Sequence, residues 1–167
     1  MNLKKRSTQI SGLILALILV YGCGYSNKSL FSRNINSIYI PIFDNTTFRR
    51  GLEFDLTKAV KNEIMSKTNL RIVDEENADT ILHGKIKDFK EVVLAGDITD
   101  NIVESRVMLY VDLKLIDKRT GRILGAVNDL SQAAEFIVRR GETLDSATEE
   151  GILDIAEAIV MRLEEKW

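Results

Sequence analysis

Between Val103 and Leu115 the chain alternates in character: Val103, Val107, Leu109, Val111, Leu113 and Leu115 fall on one side, and Glu104, Arg106, Tyr110, Asp112 and Lys114 on the other. Successive side chains of a strand point to opposite faces of its sheet. The run therefore predicts one long strand with a dry face and a wet face. A dry face must be covered, which demands a second layer of structure. Asp117-Lys118-Arg119-Thr120-Gly121-Arg122 follows as a hairpin turn, with Gly121 at the position that needs a positive φ, and Ile123 to Val138 is a longer, less regular return strand. Upstream, Leu82, Gly84 and Ile86 alternate with His83, Lys85 and Lys87, and the phase slips near Asp88 and Phe89 as a β-bulge makes it do. Antiparallel pairing dominates this reading.

The covering layer is legible as two helices. Leu52, Leu56, Ala59, Val60 and Ile64 recur three and four apart within Leu52 to Lys67, and Ile152, Ala156, Ile159, Val160, Leu163 and Trp167 form a second stripe between Thr143 and Trp167. Ile35 to Phe43, with the only proline at Pro41, predicts a first strand; Asp44-Asn45-Thr46-Thr47 turns the chain toward the first helix. Leu70 to Val73 is a short strand, Asp74 to Asp79 an acidic connection, and Ala95 to Asn101 a polar turn around Gly96-Asp97. The expected fold is α+β: a two-layer sandwich with a mostly antiparallel sheet of about four to five strands and two amphipathic helices on one face. There is no internal repeat, and residues 35–167 form a single domain. The uncovered sheet face then carries Lys85, Lys87, Arg106, Tyr110, Asp112 and Lys114. It is either bathed in water or used for contact.

The N-terminus has a different logic. Lys4, Lys5 and Arg6 precede an apolar run from Leu13 to Val20, and Val20-Tyr21-Gly22-Cys23 then places a small residue directly before a cysteine. This order of charge, apolar run and small residue is that of a secretory signal, and it fits a lipobox although Val20 and Tyr21 stand where Leu and a small residue are usual. A membrane span takes about 20 consecutive apolar residues, and Ile10 to Val20 is shorter and interrupted by Ser11 and Gly12. Cys23 is the only cysteine and has no internal disulfide partner. Residues 1–22 are thus expected to be a lipoprotein signal peptide, Cys23 the acylated first residue, and 23–34 a polar tether. As bacterial lipoproteins go, Gly24 after the cysteine, in place of a retaining Asp, implies sorting to the outer membrane, facing the periplasm.

Loss of the signal removes three positive charges and no negative ones, which moves the formal charge from −2 to −5. A secreted, net acidic chain is not a nucleic-acid binder, which would need a basic footprint. Nor does the sequence assemble a catalytic set. The single histidine, His83, lies on a strand between two lysines, and no Gly-x-Ser-x-Gly turn holds a nucleophile. One histidine and one acylated cysteine cannot supply a usual zinc site. Asp97, Asp100 and Asp74-Glu75-Glu76 are loop acids without the spacing of a calcium loop. No phosphate loop or dinucleotide fingerprint is present, so neither cofactor nor metal is implied.

Several segments, taken in order, resemble the LptE family of lipopolysaccharide-assembly lipoproteins. They are Cys23-Gly24-Tyr25; Ile40-Pro41-Ile42-Phe43-Asp44-Asn45-Thr46-Thr47-Phe48 leading through Gly51-Leu52-Glu53 and Leu56-Thr57 into the first helix; Ala78-Asp79 before the strand containing Gly84; and Val111 to Asp117 followed by Arg119-Thr120-Gly121. None is a catalytic signature. The resemblance implies a lipid-anchored outer-membrane protein, not an enzyme, that sits in the lumen of an LptD-like β-barrel, helps it assemble and contacts lipopolysaccharide. Lys85, Lys87, Arg106 and Lys114 are the candidates for meeting lipid phosphates. A strand ending in Pro-Phe-x-Asn-x-Thr also resembles CsgG-like secretion components and LpoB-like synthase activators, which are the alternative.

Overall fold

A computed structural model of the protein describes residues 35–98 and 101–166, with side chains to Leu163. The signal peptide, Cys23 and the tether lie outside the described residues. The elements are β1 (Ser37–Tyr39), β2 (Asp44–Asn45), α1 (Leu52–Lys67), β3 (Arg71–Ile72), β4 (Thr80–Gly96), β5 (Ile102–Asp117), β6 (Ile123–Ile137) and α2 (Leu144–Lys166). The sheet runs β3-β1-β4-β5-β6, with β2 paired to β4 beside this path. Both helices close over one face, and the sandwich expected from the sequence is present.

The sheet is mixed. β4, β5 and β6 form a long antiparallel meander, whereas β1 pairs in parallel with β3 and β4, and β2 in parallel with β4. The parallel pairs follow from the connection: α1 carries the chain back across the sheet between β1 and β3, so the two strands run the same way. The apolar stretch from Ile35 to Phe43 is not one strand. It is three residues of β1, then Ile40 and Phe43 buried in the core outside regular pairing, and β2 begins at Asp44. The bulge expected near Asp88 lies between Ile86 and Asp88.

One core fills the space between layers. From the sheet it takes Ile38, Leu82, Ile86, Val107, Leu109, Val111, Leu113 and Leu115, and from the helices Leu56, Val60, Ile64, Ile155, Ile159 and Val160. Ile155 was not in the predicted stripe; it widens the apolar face of α2. Gly151 brings α2 close to the sheet, since a Cβ there would stand 3.3 Å from Leu109 Cδ1. Gly84 does the same for Phe43: a Cβ on Gly84 would overlap the Phe43 ring.

Candidate functional site: the outer face of the sheet

Within the described residues, the segments that carry the family resemblance prove to be wiring. Asn45 Nδ2 donates to Arg49 O at 2.8 Å and to Glu53 Oε2 at 2.7 Å, while its Oδ1 accepts from Thr47 N and Thr47 Oγ1 at 2.9 and 2.7 Å. Thr46 Oγ1 donates to Ile86 O at 2.9 Å. Thr57 Oγ1 accepts from Phe43 N at 3.0 Å and donates to Glu53 O at 2.6 Å. Together these bonds lock β2 and the start of α1 onto β4. The Asn45 amide is the main cause that holds the Glu53 carboxyl below its ordinary value. Negative charge there also suits the positive end of α1.

Asp79 performs a similar task at Asn36 and Ser37, beside the start of β1. Its Oδ2 accepts from Asn36 N, Ser37 N and Ser37 Oγ at 2.9, 2.9 and 2.8 Å, and Ser37 Oγ accepts from Asp79 N at 3.0 Å. The Asn36 N–H, then the Ser37 hydroxyl, lower the Asp79 carboxyl. A depressed folded value means that this contribution is complete above the unfolded carboxyl pKa and is lost as pH falls through the folded one. In the hairpin, Thr120 N donates to Asp117 Oδ1 at 2.8 Å and Gly121 has φ 68°, as the turn reading requires.

The face away from the helices carries all the candidate contact residues, but they are not equivalent. Lys87 Nζ lies 2.6 Å from Asp129 Oδ1 and 3.5 Å from Asp112 Oδ2, and its ammonium is held above the ordinary lysine value, chiefly by Asp129. Arg106 Nε donates to Glu135 Oε1 at 2.9 Å, and its Nη2 reaches the same oxygen. Lys90 pairs with Asp88 at 3.0 Å and stands 5.2 Å over the Tyr110 ring. Two of the four candidates, Lys87 and Arg106, are thus neutralised by the protein itself. Lys85 and Lys114 are exposed and enter none of these ion pairs. Lys85 faces Asp112 and His83 faces Lys114 in register, so the two lysines are diagonal neighbours on adjacent strands. Diagonal positions, about 7–8 Å apart, are within reach of long side chains.

Of the loop acids, Asp97 holds structure through its carboxylate, and Glu75 and Glu76 through their backbone. Asp97 Oδ1 accepts from Asn101 N at 3.1 Å in the β4–β5 turn, the Glu75 and Glu76 carbonyls accept from Lys118 Nζ, and Asp100 is outside the described residues. Among the described residues no group of three His, Cys, Asp or Glu side chains could hold a metal ion, and no helix is long and apolar enough to cross a membrane. The sequence reading missed the end of the β4–β5 hairpin, where Val92, Val93, Leu94, Ile98 and Ile102 are exposed. The signal was available: Val92-Val93-Leu94 is a run rather than an alternation, so both faces of the strand are apolar there.

With this geometry the chain can be compared with known proteins. It shares its fold with several solved bacterial proteins, lipoproteins among them. Rare lipoprotein B from Shewanella oneidensis superposes with a TM-score of 0.53 at 15% identity, covering 77% of this chain and 93% of that one. Lipoprotein B from Nitrosomonas europaea gives 0.53 at 13%, covering 78% and 83%, and protein CT253 from Chlamydia trachomatis gives 0.54 at 10%, covering 79% and 97%. The chain belongs to the LptE lipopolysaccharide-assembly family, whose model matches residues 35–165. No curated protein matches it in sequence.

Proposed function

We propose that this protein is a lipid-anchored, nonenzymatic partner of an LptD-like outer-membrane β-barrel, occupying its lumen from the periplasmic side and assisting delivery of lipopolysaccharide to the outer leaflet. The observation that carries the reading is membership of the LptE family across the folded domain. The outer sheet face supports it: Lys87 and Arg106 are laced into cross-strand pairs and Lys85 and Lys114 are exposed, a charged surface suited to a barrel interior, which is polar. β4 has 17 residues. At about 3.3 Å per residue it extends on the order of 55 Å, well beyond an apolar barrel band of about 25 Å. A tagged, acylated protein extracted in mild detergent should bring down one large outer-membrane barrel in equal amount. Cross-linkers at Lys114 and Arg119 should capture lumen-facing barrel residues. Capture of only soluble periplasmic proteins would turn the reading toward the CsgG-like or LpoB-like alternative.

Lipopolysaccharide contact is assigned to Lys85 and Lys114, whose ammonium groups lack the carboxylate partners that occupy Lys87 and Arg106. Reversing both, Lys85→Glu with Lys114→Glu, should weaken lipopolysaccharide binding about tenfold at low ionic strength, with the difference shrinking as salt rises. The melting temperature should barely move, because neither side chain is buried. Reversing Lys87 instead should lower stability as well, since it would set three carboxylates together. Equal affinity of the double variant and wild type at every salt concentration would return the two lysines to solvent.

A further inference from the structure

β6 is an edge strand of 15 residues, and among the described residues no element pairs with its outer side. Such an edge presents a row of free N–H and C=O groups, and proteins blunt it with lysine, proline, bulges or brevity. The other edges of this sheet are blunted. β3 is two residues long. The part of β4 beyond β2 carries Lys90 and register shifts at Ile86/Asp88, Val93/Ala95 and Ala95/Gly96. β6, in contrast, contains no Lys, Arg or Pro from Ile123 to Ile137, and small residues such as Ala126, Ser131, Ala133 and Ala134 leave its backbone approachable. Its irregularities are a register shift next to the turn and one near Asp129, whose φ is 53° and whose N–H donates to Asp112 Oδ1 at 2.8 Å.

Charge selects what can pair there. The acids along β6 are already used: Glu135 by Arg106, and Asp129 by Lys87. The strand is bracketed by exposed Arg119 and Arg122 at one end and exposed Arg139 and Arg140 at the other. Pairing the whole edge with a second copy in antiparallel sense would set the arginines of one end beside those of the other, twice over; parallel pairing would set each pair beside itself. Like charges so placed repel.

We infer that the β6 edge accepts, by strand addition, one extended segment of a different protein that carries carboxylates at both ends of a small or β-branched stretch. Main-chain bonds give such an addition its affinity, and flanking side chains give its selectivity. The inference rests on the proposed function only in requiring an envelope partner. A closed barrel wall has no free edge, so if the partner is the barrel chain, the added strand comes from a loop or a segment outside the wall.

The test is amide hydrogen exchange on the full acylated protein, alone and in the complex recovered in mild detergent, with copy number read by native mass spectrometry. Alone, the β6 amides turned away from β5 should exchange fast, Ile137 excepted, whose N–H donates to Glu142 Oε2 at 2.7 Å; in the complex they should slow at least a hundredfold. Arg122→Glu with Arg139→Glu and Arg140→Glu should abolish that slowing while leaving the melting temperature near wild type. Equal exchange in both states overturns the inference and, if the barrel is present, leaves the lumen reading standing. Slowing by a protein other than a barrel does the reverse. Protection already present in the isolated monomer, or a complex holding two copies paired through β6, overturns the inference by naming a different occupant. Recovery of the chain alone, without any partner, counts against both.

Discussion

Replacing Gly84 with alanine is expected to destabilise the domain sharply, while the same replacement in a Phe43→Ala background is expected to cost little or nothing. Phe43 is buried, and its ring lies against the backbone of Gly84, so that a Cβ at residue 84 would occupy ring space. The ring has little freedom to retreat, because the Phe43 N–H is bonded to Thr57 on α1 and the next residue, Asp44, is registered with Lys85 on β4. Forcing an extra carbon into a packed core costs about 1–3 kcal/mol, and removing a buried phenylalanine side chain about 3–5 kcal/mol. In a domain of this size each kcal/mol moves the melting temperature by about 3–5 °C. Thermal unfolding of the two single variants and the double variant measures the coupling directly. Strict additivity of the two losses would show that Phe43 does not rest on Gly84.

Cys23→Ser is expected to abolish acylation, and with it the lipid anchor. This follows from the N-terminal order of charge, apolar run and small residue. Each buried methylene contributes about 0.8 kcal/mol, so one acyl chain holds reversibly while two or three hold for the life of the protein. Without a sulfur to accept a diacylglyceryl group, the chain should remain uncleaved or be released to the periplasm, and the wild type alone should incorporate radioactive fatty acid. Equal incorporation by Cys23→Ser would refute acylation at this residue. If the barrel partnership is correct, the soluble variant should still bind the barrel in extracts, because the folded domain is intact.

The two helices, the β5 alternation, the Gly121 turn and the bulge before Asp88 were legible because each is written in neighbouring residues. Helix and strand periods repeat within a few positions, and a positive φ announces itself by glycine. β2 and β3, at two residues each, are too short to show a period, and their parallel pairing is a property of the α1 crossover rather than of their own residues. The candidate contact face was found for the same local reason: Lys85, Lys87, Arg106 and Lys114 occupy wet positions of strands. Which of them remain available was not legible. Lys87 meets Asp129 across 42 positions, and Arg106 meets Glu135 across 29.

The sequence by itself therefore determined the layers, the wet face and the family resemblance, because solvent preference and backbone propensity act residue by residue. The tertiary structure alone decided that two of four cations are already neutralised, that Phe43 closes over Gly84, and that β6 ends the sheet with no described element paired to its outer side. Each of these depends on register, and register is set by contacts between segments far apart in the chain, where a shift of one residue exchanges every partner.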